Sequence, residues 1–530
     1  STGALHLRPI LNLKEERDRQ LFRVVAAETA RLVKKYRGSL SGEHGDGRLR
    51  GEFLPLMFGE KVYALFKDVK RIWDGNGIFN IGKIVDTPPM DSCLRYEVTP
   101  GIGNTYFDFS RQKGWLCAVE QCNGSGDCRK SYLFGGTMCP VYRVTRDEKD
   151  TTRARSNILR ELIIHPEGKK VFSQPEVLSA LSSCLSCKAC KAECPSNVDM
   201  ARYKAEYLQH HYDETRIPLR SFLVANLTRI QKMAMVFPAA YNAVVSSKVF
   251  SSILKKILKF APQRSIPKIY KFTLRNWLRT HPDAGTCNRK VYLFADEFSN
   301  YMDVETGITF IKLLRALGYQ VIIPEHIESG RTELSKGMVK KAKKIARKNV
   351  MLLKDIVNEQ IPLVGIEPSC ILSFRDEYPD LVGDDLKDAA ASLALNCLLY
   401  DEFIVREVRK GNITSEQFTD KEQKIKLHGH CHQKALVSIE PSKKMLSLPA
   451  NYHVDVIPSG CCGMAGAFGY EKEHYSLSMQ IGEQVLFPAV RSALQGTLIA
   501  APGTSCRQQI MDGTGVKAYH PVEILYRALA

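Results

Sequence analysis

Hydrophobic and polar positions follow two different periods along this chain. In residues 13–36 the apolar side chains Phe22, Val25, Ala26, Leu32, Val33 and Tyr36 recur at helical spacing, and Gly38 ends the run. A second helix is predicted over about 59–73, with Val62, Leu65, Phe66, Val69 and Ile72 on one face and Gly75 as its stop. Between them lies the glycine-rich loop Ser41-Gly42-Glu43-His44-Gly45-Asp46-Gly47-Arg48. Beyond residue 287 short apolar runs alternate with longer helical ones, which predicts strands alternating with helices. Strand-like 291–295, a helix over 307–317, strand-like 319–324, Glu328-Ser329-Gly330 and a long helix over 336–357 lead through the apolar run 362–366 to Cys370. The same order returns as strand-like 425–427, His428-Gly429-His430-Cys431-His432, strand-like 454–457, Cys461-Cys462-Gly463, a helix over 474–494 and the run 498–506. The second half is therefore an internal repeat.

Length and composition bound what these elements build. At 530 residues with 44% hydrophobic content, several domains can each bury a core. Sixteen cysteines without a secretory pattern favour metal ligation in a reducing compartment over disulfides. The most apolar stretch, 233–250, is broken by Pro238 and carries Lys248, so no membrane span is predicted. The expected setting is cytoplasmic. The formal charge of +18 is concentrated: between Lys248 and Lys290 the one acid is Asp283, among Lys255, Lys256, Lys259, Arg264, Lys268 and others. Apolar Ile253, Ile257, Phe260 and Trp277 are interleaved with them. This is either a helical connector with a solvated basic face or a peripheral contact for anionic lipid at the inner membrane face or for an acidic protein. No nucleic-acid motif accompanies the charge, so no nucleic-acid partner is expected.

Seven cysteines between Cys122 and Cys194 carry the clearest chemistry. Cys184, Cys187, Cys190 and Cys194-Pro195 form the C-x2-C-x2-C-x3-C-P run of a two-cluster ferredoxin. Three closely spaced thiolates hold one cube, and the Cys before Pro reaches to the other. Cys139-Pro140 is the matching cross-ligand, giving the set Cys184, Cys187, Cys190 and Cys139. The first copy has Cys122 and Cys128 with Ser125 at the middle position. With Cys194 it supplies three thiolates, and the fourth place is left to Cys117, to Ser125 or to a cluster short of one iron. Zinc or disulfides are the competing readings, and the third Cys followed by Cys-Pro argues against both.

Three phrases near the start, Leu5-His6-Leu7-Arg8-Pro9, Ser41-Gly42-Glu43-His44-Gly45 and Phe79-Asn80-Ile81-Gly82-Lys83-Ile84, resemble the C-terminal end of the FAD-linked oxidases that include D-lactate, D-2-hydroxyglutarate and glycolate dehydrogenases. The resemblance implies that His6 and Glu43 bind a divalent metal, zinc or manganese, at the substrate, and that His44 takes the hydroxyl proton. It also places Glu43, Gly45 and Asn80 at the cofactor. The chain opens as if inside a domain, with the flavin-binding portion expected upstream or on another chain. The cysteine phrases resemble the iron–sulfur domain fused behind such oxidases. The repeat resembles the cysteine-rich CCG domain of heterodisulfide reductase and of the glycolate oxidase iron–sulfur subunit. That likeness implies one iron–sulfur or zinc centre from Cys431, Cys461, Cys462 and Cys506, with Cys370 lent by the other half. His428, His430 and His432 are expected to share one face of an extended segment, one or two being ligands or their supports if the loop is irregular.

The expected fold class is thus multidomain α+β and α/β. It comprises the end of an oxidase domain (1–90), a linker (91–113), an α-helical domain with two [4Fe-4S] clusters (114–212), a basic helical connector (213–286) and an α/β CCG repeat (287–530). The resemblance implies the electron-output portion of an FAD-dependent D-2-hydroxyacid dehydrogenase, passing electrons to a quinone, a cytochrome or a carrier protein. The alternatives are a heterodisulfide-reductase-like thiol enzyme and a non-catalytic electron-transfer protein docking a separate flavoprotein.

Overall fold

The computed structural model describes residues 6–95, 104–166, 168–282 and 289–530. These fall into two compact units, 1–100 and 101–530.

In the first unit, the predicted helices form as α1 (Glu16–Lys35) and α2 (Glu60–Trp73). Its core is small, built on Ala30, Phe53 and Met90. Much apolar surface stays outside, including Ile72, Trp73, Ile78, Phe79 and Ile81.

The second unit begins with helices around the ferredoxin cysteines: α3 (Trp115–Val119), α4 (Pro140–Thr145), α5 (Thr152–Ile164), α6 (Ala189–Glu193) and α7 (Met200–Glu214). Part of the stretch read as a linker belongs to this core. Phe107 and Phe109 are buried, and the backbone N–H groups of Tyr106 and Phe107 donate to the Glu206 carboxylate at 2.7 and 3.0 Å. Glycine and proline upstream masked the Tyr106-Phe107-Asp108-Phe109 cluster in the composition. The connector is helical, as α8 (Leu219–Ala225), α9 (Leu227–Ala234), α10 (Pro238–Ser246) and α11 (Lys248–Leu258). Arg264 pins its end to the repeat, donating from Nε to Gly469 O at 2.9 Å and from Nη2 to Gln509 Oε1 at 2.6 Å.

The repeat forms two four-stranded parallel sheets of identical topology. β1 (Arg289–Phe294), β2 (Tyr319–Ile322), β3 (Leu363–Gly365) and β4 (Cys397–Leu399) lie in the order β2-β1-β3-β4. β5 (Gln423–Leu427), β6 (Tyr452–Val456), β7 (Leu498–Ala500) and β8 (Ala518–Tyr519) lie as β6-β5-β7-β8. In each sheet the chain reverses direction beside the first strand, at the place where open α/β sheets form a crevice at the strand C-termini. After β3 comes α12 (Pro368–Asp376), and after β7 comes α13 (Thr504–Thr514). Cys370 and Cys506 are the third residues of these two helices. One core joins the halves, with Val291, Leu293 and Phe310 packed among the same buried residues as Leu427, Met445 and Leu525.

The helix predicted over 474–494 is two helices, Tyr475–Gln484 and Leu486–Arg491. Pro488 has no N–H to return to Gln484 O, so the ladder breaks there.

Candidate redox centres

The C-x2-C-x2-C run is shaped by its backbone. Ser186 and Lys188 adopt left-handed φ values of 54° and 61°, a conformation that curls the loop so that successive thiols turn inward. Cys139, Cys184, Cys187 and Cys190 line one cavity. Cys139 arrives from the N-terminus of α4, where the following proline needs no hydrogen-bond partner. The neighbours suit an anionic cluster. Buried Arg155 donates from Nη1 to Cys139 Sγ at 3.7 Å, and Cys184 and Cys139 hold its guanidinium in the charged form against desolvation. Burial lowers Lys204 to about 8 beside Cys184, whose carbonyl accepts from it at 2.6 Å. The donor set and this positive surround fit a [4Fe-4S] cluster.

Cys122 and Cys128 are buried and Cys194 half-buried beside the same core. The Glu193 carboxylate accepts from Thr137 N at 2.7 Å and Met138 N at 2.9 Å, tying the Cys194 loop to the Cys139 loop. Ser125 is exposed and Cys117 half-buried. Burial raises the Cys128 thiol, with Cys139 and Cys122 adding to the shift.

The second half of the repeat gathers the other thiols. Cys461 contacts both Cys431 and Cys462, and Cys462 contacts Cys506 and His428. One ligand atom each of His428, Cys462 and Cys506 lie within 4.8 Å of one another. Contacts from Cys461, Cys506 and His428 bring the central Cys462 thiol well down, while its contact with Cys462 raises Cys506. Cys431 is lowered to about 6, chiefly by Cys461. The loop that carries the pair needs its glycine: Gly463 has φ 94°, and a Cβ there meets Ser478 O at 2.2 Å. Half-buried Lys434 fixes the approach by donating to Ser459 O at 2.6 Å and Gly460 O at 2.7 Å.

The structure corrects one expectation. The 428–432 segment does not run extended: His430 caps a helix over Cys431–Leu436, its Nδ1 accepting from His432 N at 3.2 Å, so the three histidines face different neighbours. Cys370 is expected from the sequence to join the thiol group. It is buried in the matching place of the first half, where desolvation, Glu297, Asp296 and Glu367 raise its thiol.

The two thiol groups adjoin. The helix begun by Cys431 packs on α6, His432 Nε2 lies 3.1 Å from Ser186 O, and Cys187 is under the direct electrostatic influence of Cys431. Beside them a buried ion-pair network docks the ferredoxin part on the first half. Lys188 and Lys191 both reach Asp376, Lys188 reaches Glu377 at 2.8 Å and Arg202 reaches Asp380 at 2.6 Å. No sequence signal marked Arg155, Lys204 or Asp376, because each acts through a distant part of the chain.

In the first unit, His6 Nε2 lies 3.0 Å from Glu43 Oε1 and the His6 and His44 rings are 5.3 Å apart, so the three potential ligands converge on an exposed site. Ile84 N–H donates to Gly47 O at 2.8 Å, bringing the third phrase to the glycine-rich loop that also holds Gly45. Asn80 takes a left-handed φ of 47°, and its Oδ1 accepts from Lys83 at 3.2 Å. Glu471, Glu473 and His474 also cluster. Lys336 and Arg220 already neutralise those carboxylates, at 2.6 Å from Glu471 and 2.5 Å from Glu473, so that group is an ion-pair hub.

This geometry defines a class: an electron-transfer chain with ferredoxin-type and CCG-type centres in one body. Family comparisons agree part by part. The chain matches "FAD linked oxidases, C-terminal domain" over 1–84, "4Fe-4S dicluster domain" over 118–198 and "Cysteine-rich domain" over 425–511. It is homologous along its length to D-2-hydroxyglutarate dehydrogenases. It is 26% identical to that of Escherichia coli (strain K12) and 27% identical to that of Pseudomonas putida KT2440, in each case over 99% of this chain and 54% of the relative. It is also 27% identical to one component of the anaerobic glycerol-3-phosphate dehydrogenase of Escherichia coli (strain K12), over 74% of this chain and 96% of that component. The chain spans about half the length of the curated D-2-hydroxyglutarate dehydrogenases it matches.

Proposed function

We propose that this chain is the electron-output portion of an FAD-dependent dehydrogenase acting on the CH–OH group of a D-2-hydroxyacid, with D-2-hydroxyglutarate or D-lactate as substrate. The observation that carries the reading is that the two thiol groups adjoin, with His432 Nε2 3.1 Å from Ser186 O and Cys187 within electrostatic reach of Cys431. When bound, the flavin takes a hydride and the iron–sulfur centres relay its electrons singly. His6 and Glu43 hold a divalent cation at the substrate, and His44 Nε2, 3.9 Å from Glu43, takes the hydroxyl proton. Gly45 and Asn80 border the cofactor. The exposed face of Ile72, Trp73, Phe79 and Ile81 is where the flavin-binding portion packs. Cys122, Cys128 and Cys194 hold the partner ferredoxin cluster.

In the flavin-bearing protein, His44→Ala is expected to slow flavin reduction by about 100- to 10,000-fold without changing iron content. Cys431→Ala is expected to leave hydroxyacid-driven flavin bleaching intact while abolishing reduction of an added quinone or cytochrome. Equal loss of both half-reactions, or of neither, overturns the assignment.

Among the described residues no helix is long and apolar enough to cross a membrane. The connector supports a peripheral docking face. Lys248, Lys255, Lys256, Lys259, Lys268 and Lys472 line a wide groove, and Phe237, Val249, Phe250 and Ile257 of the same connector are exposed. Such a surface favours anionic lipid, and so an acceptor at the membrane. Sedimentation with phosphatidylglycerol vesicles but not phosphatidylcholine vesicles is the expected result.

A further inference from the structure

The CCG likeness predicts thiolate ligands, but the loop around them holds a nitrogen that the structure leaves over. His428 is fully buried, and its two ring nitrogens have opposite surroundings. Nδ1 lies 2.7 Å from Ser459 Oγ. Where the ring donates to that hydroxyl, Nδ1 carries the proton. Nε2 then offers a lone pair, makes no hydrogen bond of ordinary geometry among the described residues, and has the Cys462 thiol as the group it acts on. Leaving such an atom dry and unsatisfied is costly, and a native structure holds it for a reason. Its neighbours differ: His430 Nδ1 accepts from His432 N, and His432 Nε2 meets Ser186 O.

The spacing adds a second observation. Metal–nitrogen and metal–sulfur bonds run about 2.0–2.3 Å, so two donors to one ion are at most about 4.6 Å apart, and nearer in a tetrahedron. The His428, Cys462 and Cys506 donors all lie within 4.8 Å of one another, so a shift of a few tenths of an ångström brings them inside that limit. This close set converges on a single ion, with Cys461 and Cys431 continuing the thiol chain on the far side of Cys462.

We propose that His428 Nε2 is a direct metal ligand: one ion of the CCG centre, iron or zinc, is held by His428 together with Cys462 and Cys506, and Ser459 fixes the His428 tautomer. Lys434, which grips the Ser459 and Gly460 carbonyls, holds that support in place. A neutral imidazole in place of a thiolate makes the ion's shell one negative charge smaller, which eases acceptance of an electron in a buried site.

The test uses the full chain grown with nitrogen-15 histidine and isolated anaerobically, with metal analysis of each sample. If the ion is iron, pulsed electron paramagnetic resonance shows strongly coupled histidine nitrogen; if zinc, zinc-edge X-ray absorption shows a mixed nitrogen and sulfur shell. His428→Cys is expected to keep the metal and lose the nitrogen signature. Ser459→Ala is expected to weaken metal retention against a chelator by about 10- to 100-fold. Signals of the ferredoxin clusters serve as the folding control. A site without metal, a wild-type shell without histidine nitrogen, or a nitrogen signature surviving in His428→Cys overturns the proposal. Unchanged chelator resistance in Ser459→Ala removes the role given to Ser459.

Discussion

The two halves of the repeat share strand order, crevice and a left-handed glycine after the second strand, Gly330 with φ 74° and Gly463 with φ 94°, yet their crevices hold opposite chemistry. The second half points His428, Cys431, Cys461, Cys462 and Cys506 into its crevice. The first half places Asp296, Glu297, Ser329 and Glu367 around Cys370. Strand register sharpens this: Phe294 pairs with Gly365 as Leu427 pairs with Ala500, so Ala295 stands where His428 stands. The first crevice is filled by its own hydrogen bonds. Ser329 donates from Oγ and N–H to the Glu297 carboxylate at 2.6 and 3.0 Å, and Tyr378 OH closes on Ser329 O at 2.9 Å. A shared backbone thus leaves each half's chemistry to a handful of loop residues.

The largest effect separates the crevices directly. Cys462→Ala is expected to strip the second-half centre of metal and cut electron output at least about 100-fold, whereas Cys370→Ala leaves metal content unchanged. Metal analysis and acceptor reduction check both. If Cys370→Ala also loses metal, the first half is not silent.

The first half has a different task, as the platform for the ferredoxin part. Asp376→Asn leaves Lys188 and Lys191 short of a buried counter-charge and is expected to cost about 3 kcal/mol of unfolding free energy, read by denaturant titration. The lysines hold the Asp376 carboxyl far below its usual range. Its contribution is therefore present at neutral pH and is lost only in strong acid.

A third comparison is in pH. Burial, with the Glu297 charge, raises Asp296 to about 8, and burial raises Glu297 to about 7. The folded first half keeps protons that the unfolded chain has released. Stability contributed by these protons is full below about pH 4 and falls as pH rises toward 8. Asp296→Asn keeps an oxygen to accept from Phe298 and Ser299 N–H and is expected to flatten this slope. Unfolding curves at several pH values decide it, and an unchanged slope refutes the assignment. Smallest is the half-exposed pair Arg220–Glu473, where Arg220→Ala is expected to cost about 1 kcal/mol or less.

The sequence disclosed the periodic elements and the thiols, because strand and helix spacing and C-x2-C runs are local. The topological repeat was legible from its matching order of runs, although β4 and β8 were too short to register. Three things escaped. The Phe107–Phe109 core segment was hidden by its glycine- and proline-rich approach. The 428–432 histidines were read at strand period because nothing local announced the His430 cap. Asp376 is an ordinary acid at the end of a helix until folding brings Lys188 and Lys191 to it. Each miss depends on a contact between residues far apart in the chain.

The core common to both sheets sets how the molecule comes apart. Val291, Leu293 and Phe310 pack with Leu427, Met445 and Leu525, and the Glu367 carboxylate of one half accepts from Thr504 N of the other at 2.9 Å. The crevice that holds thiols therefore cannot melt alone. Thermal unfolding of the repeat should be one cooperative transition, and a cavity cut beneath β1, far from any thiol, should lower the temperature of metal release together with that of unfolding.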